Sequence, residues 1–324
     1  MRKLLAMFVL ITLASDGHGT GWSGQPAAYL DLPVGARALG LGGAVGSLAG
    51  DPILLHWNPA ALAELEETTL ELGYSDRALG RRQGQAALGV PWREIIGFGV
   101  LANVFSVADI PEMDEVGNQT GSFDDRELAL SAGFGLRVAS LLRLGVAGRY
   151  YSQSLASSGA RGFGFDAGLQ LRLPLFRESL LRIGASASHL QASLKWDTES
   201  DIKEAIPKTY RLGFSYEMPL RVRTLVAYDY VVTTHIPINL LLDEFAEEPK
   251  GVSHSYGVEV WPHRKVALRG GLLAEKVPEF GKLRLDEMAL GASILVRRVR
   301  LDYTYRVEPV SSAATSTLGL RFGF

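Results

Sequence analysis

The 324-residue chain contains no cysteine. Disulfides, zinc–thiolate sites, cysteine nucleophiles and a lipid-modified cysteine are excluded together. There is no surplus of positive charge either. Lys+Arg number 33 against 35 Asp+Glu, a formal net of −2, so nothing in the balance points to nucleic acid. Catalytic signatures are missing as well. No G-x-S-x-G elbow occurs, no H-E-x-x-H pair exists, and the six histidines are scattered. His254 lies between Ser253 and Ser255 on an alternating segment, which puts the imidazole on the face opposite both hydroxyls. No catalytic residue, metal site or cofactor is expected, and the chain does not read as an enzyme. Beyond residue 13 no apolar run approaches ~18 residues, so no membrane-spanning helix is expected.

What is present begins with a basic head, Met1-Arg2-Lys3, and a nearly unbroken apolar run from Leu4 to Leu13. Small residues follow at Thr12-Leu13-Ala14. The run is too short for a bilayer-spanning helix, which takes roughly 20 residues, and it has the layout of a secretory signal peptide. Residues 1–14 are therefore expected to be removed on export, with cleavage as late as residue 20 also compatible.

From Thr69 onward the dominant signal has a period of two. In "GFGFDAGLQLRLP" (162–174), Phe163, Phe165, Ala167, Leu169, Leu171 and Leu173 share one face. Gly164, Asp166, Gly168, Gln170 and Arg172 share the other, because side chains on a strand alternate. The segment exceeds the ~5–6 residues of a typical soluble strand and reaches the ~9–11 that a membrane-crossing barrel strand needs. The same rhythm predicts strands near 69–75, 83–91, 95–106, 126–138, 142–154, 162–173, 180–192, 209–217, 221–233, 252–261, 265–275, 286–297, 299–307 and 315–324. That makes fourteen, an even number as bacterial outer-membrane barrels require.

Connection lengths support the same architecture. Short joins such as "PWRE", "ASLL" and "PHR" alternate with longer ones, up to the stretches 107–124 and 234–251. Tight turns on one rim and long loops on the other are the outer-membrane arrangement. Tyr74, Trp92, Tyr150, Tyr210, Tyr216, Tyr228, Tyr230 and Trp261 fall near strand ends, where an interfacial aromatic girdle belongs. The chain stops on an aromatic residue, Phe324, in phase with Leu318, Leu320 and Phe322. The expected fold is all-β: a transmembrane antiparallel barrel of about fourteen strands over residues 67–324.

A cylinder of that width is too wide for its own side chains to fill, since about eight strands is the limit. The segment before it, 15–66, contains "GARALGLGGAVGSLAGDPILLHWNPAAL", which is compact, glycine-dense and almost uncharged. It does not fit a nucleotide-binding loop. The closest approach to G-x-G-x-x-G, starting at Gly40, fails at its last position, and no strand precedes it. Folded back into the lumen, it would plug the barrel. Many inward strand positions are glycine, among them Gly97, Gly135, Gly145, Gly168, Gly213 and Gly257. Such glycines admit a second backbone, or bend the sheet.

At this point the sequence resembles a family. "GARALGLGGA", then Asp51, then "HWNPAAL" resembles the N-terminal signature of FadL/PorV-type outer-membrane proteins. Those comprise fatty-acid and hydrocarbon transporters and also PorV/PorQ components of type IX secretion. The resemblance implies a plugged barrel whose hatch uses Arg37, Gly40, Gly42, Gly43, Asp51, Trp57, Asn58 and Pro59, with Ala38, Ala44 and Ala60 completing the pattern. Trp57 stands closer to the PorV side. Arg37 and Asp51 would pair with each other or with lumen charges. Six lumen charges are expected to hold the plug: Arg149, Asp166, Arg211, Asp229, Glu259 and Asp302. One departure from the transporter branch is that the stretch 107–124 is polar and acidic rather than apolar. A single apolar cluster remains on the outer rim: Ile236, Ile238, Leu240, Leu241, Leu242 and Phe245. It would collect a hydrophobic solute, dock a protein, or fold down to cap the mouth. The expected function is passage of small hydrophobic solutes across the bacterial outer membrane with plug gating. The alternative is a type IX secretion component that binds cargo or partner proteins. Expected partners are outer-membrane lipid, a hydrophobic small molecule and, on the alternative, secretion-system proteins.

Overall fold

The computed structural model describes residues 27–198, 203–219, 221–234, 250–277, 282–308 and 313–324. The wall is built from β1 (Thr69–Arg77), β2 (Arg81–Trp92), β3 (Ile96–Met113), β4 (Gln119–Arg137), β5 (Leu142–Leu155), β6 (Ser158–Pro174), β7 (Leu180–Trp196), β8 (Lys203–Ala205), β9 (Thr209–Pro219), β10 (Arg223–Thr234), β11 (Lys250–His263), β12 (Val266–Val277), β13 (Lys282–Val296), β14 (Val299–Glu308) and β15 (Ala313–Gly323). Every pairing is antiparallel, and the seam between first and last strands closes the sheet, with Thr69 opposite Gly323 and Arg77 opposite Thr315. β8 is a three-residue strip on β7. The remaining fourteen strands form the ring.

Closure follows from the solvent. In hydrocarbon an unpaired backbone N–H or C=O costs several kcal/mol, so a sheet edge is not tolerated. The outer face is apolar: Leu72, Leu88, Val100, Phe134, Leu290 and Leu318 are all exposed. The inner face is polar and buried, with Gln83, Asn103, Asp229, Glu259 and Thr304 each at 1% exposure or less. This is the alternation expected of a membrane barrel with lipid outside.

Two expectations need correction. The stretch 107–124 is not an open loop. β3 and β4 continue through it as a protruding hairpin, with Ile110 opposite Phe123 and Met113 opposite Gln119. A register shift between Val107 and Ile110, where Asp109 takes φ 56°, breaks the alternation. Both faces of this extension meet water, so it carries charges and hides its period. Trp261 does not join the outer girdle. Odd-numbered positions of β11 face the lumen, and Trp261 packs against the plug's hydrophobic cluster beside Ala49. The wall is irregular at β7. There His189 (φ 61°) and Gln191 (φ 52°) are left-handed, and the register with β6 shifts at Phe165. Pairing of β7 with β9 ends at Ser188.

The segment 27–65 lies inside the ring. It is a chain of short turns: a helix over Ala36–Gly40 and 3-10 turns over Pro52–His56 and Pro59–Glu64. Each of the latter two begins on a proline, whose fixed φ and missing N–H suit a first helical position. The Asn58 side chain caps the second by accepting from Ala60 N at 3.0 Å. Leu41, Ala44, Val45, Leu48 and Leu54 pack on Leu225 and Ala227 of the wall. Ile53, Leu55, Leu62 and Leu65 pack on Ala87, Leu101 and Ala147. The wall residues are mostly small because the plug backbone runs close to it.

Glycine makes the closest approaches. A Cβ on Gly213 would stand 2.8 Å from Ser47 N, and one on Gly257 2.8 Å from Leu41 O. On Gly145 and Gly184 it would collide with Pro59 and Gly46 backbone. Gly133 and Gly164, by contrast, face neighbouring strands rather than the plug. On the plug side, Gly42 has φ +63°, and a Cβ there would sit 2.6 Å from Leu272 N.

Replacing Gly184 with valine should unseat the plug. We expect a lower thermal midpoint and larger single-channel conductance in planar bilayers. Gly270→Val, where nothing lies within 4 Å of the added carbon, should leave both unchanged.

Candidate functional site

The plug is tied to the wall by four polar anchors. The first centres on Arg37 and Asp51. Arg37 Nη1 donates to Asp51 at 2.8 Å, while its Nε and Nη2 donate to Glu259 at 3.1 and 2.6 Å. Asp51 also meets Arg300 at 3.3 Å and Arg321 at 2.9 Å. Arg269 joins Glu259 (2.6 Å) to Asp302 (2.9 Å), and Arg300 returns to Asp302 at 2.8 Å. Arg37 therefore pairs both within the plug and with the lumen wall. In the low dielectric of the lumen each charge needs such partners, because an unpaired one is strongly destabilising. Burial pushes the Asp51 carboxyl up. Arg300, Arg321 and Arg37 outweigh burial and hold it well below its ordinary 3.8.

The second anchor is Asp229. Its Oδ2 accepts from Val45 N (3.1 Å), Gly46 N (2.8 Å) and Arg211 Nη1 (2.9 Å). The Arg211 guanidinium lies 4.7 Å from the centre of the Trp57 ring, a cation–π stack. The third joins Arg149 and Asp166. Arg149 reaches the plug through Nη2, which donates to His56 O at 2.6 Å, and Asp166 accepts from His189 N at 2.9 Å. The fourth is Glu64, at the plug's end near the tight-turn rim, held between Arg143 at 2.9 Å and Arg182 at 3.2 Å.

Neutral bonds complete the seating. Asn58 Nδ2 donates to Gly46 O at 2.8 Å inside the plug and to Leu169 O at 3.2 Å on the wall. Ser186 donates to Trp57 O at 2.8 Å, and Thr304 to Ala36 O at 2.7 Å. Trp57 Nε1 donates to Val34 O at 3.1 Å. Gly40 lies against the Thr304 and Arg269 side chains, Gly43 lies near Ser255, and Pro59 lies against Gly145.

The structure places the eight hatch residues against the wall and Arg149, Arg211, Asp229 and Glu259 against the plug, whereas Asp166 and Asp302 reach it only through their arginines. Reasoning from sequence missed Arg300, Arg321 and Arg269 as anchor partners, and Glu64 with its arginines. Alternation places the three strand arginines on the inner face; which acid each meets depends on register. The apolar cluster Ile236 to Phe245 lies outside the described residues. No metal-binding group of His, Asp and Glu occurs among the described residues.

A cavity of about 420 Å³ lies on the plug's other side, toward the longer connections. Its floor includes His56, Trp57 and Arg211, and its walls come from β7 and β9 to β14. The molecule is therefore a membrane-spanning barrel, stoppered by its own N-terminal segment and carrying a chamber above the stopper.

No protein-family model matches the chain, and no curated protein matches it. Solved structures do. A TodX monoaromatic hydrocarbon channel mutant superposes with a TM-score of 0.58 at 14% identity, covering 90% of this chain and 99% of that one. The CymD monoaromatic hydrocarbon channel gives 0.58 at 12% identity, covering 90% and 97%. A Pseudomonas aeruginosa FadL homologue gives 0.58 at 12%, covering 90% and 98%. The chain shares the fold of FadL/TodX-type outer-membrane channels across nearly its whole described length.

Asp51→Asn should cost on the order of 3 kcal/mol, since it leaves three arginines facing an uncharged amide. The carboxyl's folded pKa is depressed, so its contribution is present above the unfolded value of about 3.9 and is lost as pH falls through the folded value. The deficit of the variant should therefore shrink in acid below about pH 4. Thermal unfolding in detergent at several pH values measures it.

Proposed function

We propose that the chain is a bacterial outer-membrane channel for small hydrophobic solutes, with movement of the plug as its gate. The observation that carries this reading is a closed barrel of the FadL/TodX type whose lumen is stoppered by a segment fixed through polar anchors. No covalent bond is available for the purpose in a chain without cysteine. Ion pairs and hydrogen bonds can be exchanged for water one at a time, whereas a fused plug would close the lumen permanently. The chamber above the plug offers a place where a solute waits before passage. Export through an N-terminal signal peptide accords with this location, although the segment itself lies outside the described residues. The channels named above accord with a transport role and with the absence of catalytic motifs. The secretion reading takes no support from them.

The absence of native cysteine makes the gate directly testable. A Cβ on Gly319 would stand 3.1 Å from Ala36 Cβ, within a few tenths of an ångström of disulfide geometry. In Ala36→Cys/Gly319→Cys, oxidation should fix the plug to β15 and stop barrel-dependent uptake of labelled hydrocarbon or fatty acid by expressing cells. Reductant should restore it. Uptake that is equal in the oxidised and reduced proteins would sink plug gating, and uptake no greater than in cells without the barrel would sink the channel reading.

A further inference from the structure

The chamber above the plug is not lined as a bare hydrocarbon site would be. Apolar surface comes from Leu30, Pro33, Trp57, Val231 and Leu273. Much of the remainder is hydroxyl, imidazole and carboxylate. On the walls from β7, β10 and β11 stand Ser188, Thr233, Ser253 and Ser255. Ser188 and Ser255 are only 8% and 2% exposed, and both border the chamber.

The floor adds a directional group. His56 Nδ1 lies 3.3 Å from Arg149 Nη1. A guanidinium only donates, so Nδ1 accepts and the ring proton sits on Nε2. Burial and the Arg149 charge hold the imidazole well below 6.5, so it stays neutral at physiological pH. Arg211, also on the floor, has its charge matched by Asp229 at 2.9 Å.

The opposite wall is acidic. Glu275, Asp286, Glu287 and Glu308 line it together with Arg284. Arg284 meets Asp286 at 2.7 Å. Arg306 meets Glu287 at 2.5 Å and Glu308 at 3.4 Å. Four acidic side chains thus line this wall beside Arg284 and Arg306, and a carboxylate solute has no proton to donate to them. Ionised carboxylates accept and imidazole N–H donates, while serine and threonine hydroxyls do both. The group that satisfies all three is another hydroxyl. A volume of about 420 Å³ falls within the range of small-molecule pockets.

We propose that this chamber binds a small uncharged molecule carrying a hydroxyl group on an apolar frame, an aryl or alkyl alcohol, in preference to the bare hydrocarbon or the carboxylate. The proposal rests on the channel reading for its biological purpose, but its test does not depend on transport. Binding of 2-phenylethanol, ethylbenzene and phenylacetate, three ligands on one aromatic frame, is measured by calorimetry. The full-length protein is held in lipid nanodiscs, and empty discs are subtracted. The alcohol should bind at least about tenfold more tightly than either analogue, the effect of one or two well-made hydrogen bonds. Ser188→Ala/Ser255→Ala should erase that preference while the barrel keeps its heat-dependent gel mobility. Should that variant not fold, Ser253→Val is compared in the same way. Equal or tighter binding of ethylbenzene or phenylacetate overturns the proposal, and so does a preference that survives loss of the hydroxyls. Failed binding selectivity with intact, plug-gated uptake refutes only this inference. Selective binding without uptake refutes only the channel.

Discussion

The pairing of backbone polar groups in a solvent that offers none governs this molecule. Lipid cannot hydrogen-bond an N–H or C=O, so the sheet must return to its own first strand. Fourteen strands then enclose more space than inward side chains can occupy. The plug answers that second problem. It fills the lumen with the least bulky material available, backbone and small side chains.

Filling a polar lumen with a nearly uncharged segment creates a conflict of chemistry. The wall's inner face carries arginine and acid ladders, and the plug carries alanine, leucine and glycine. The conflict is resolved by zoning. Where wall residues are alanine, leucine or glycine, plug backbone and leucines lie flat against them, as Leu62 does at Gly99 and Leu41 at Gly257. Where the wall is charged, the plug presents either a matching charge, Arg37 and Asp51, or bare backbone groups. Asp229 is the clearest case, holding two consecutive plug N–H groups and an arginine with one oxygen. Burial alone would make such a carboxylate costly; three donors make it an anchor.

Much of this was legible in the sequence, and for one physical reason. A strand buried on one face and exposed to lipid on the other must alternate, so strand positions and the inward parity of Arg149, Asp166 and Asp302 follow from counting by two. Register does not follow from counting. Nothing in the linear chain says that Arg300 and Arg321 reach Asp51, because that depends on which residues stand opposite across the β14–β15 pair and the closing seam. The pattern also fails where both faces meet water, as in the β3–β4 extension. It fails again where a strand is three residues long, as in β8. Trp261 misled because aromatic character suggests the lipid interface, whereas its parity on β11 points inward.

The anchor at Asp51 joins parts of the chain that are far apart in the order of synthesis. Its carboxylate and Arg37 are made early, and Arg300 follows Asp51 by 249 residues, with Arg321 later still. The same late strands, β14 and β15, supply the seam that closes the ring. Seating of the stopper and completion of the cylinder are thus one event, read out by a single side chain. A polypeptide broken off before its final hairpin would leave that acid without two of its three arginines and the wall with an open edge, marking itself at both ends as unfinished.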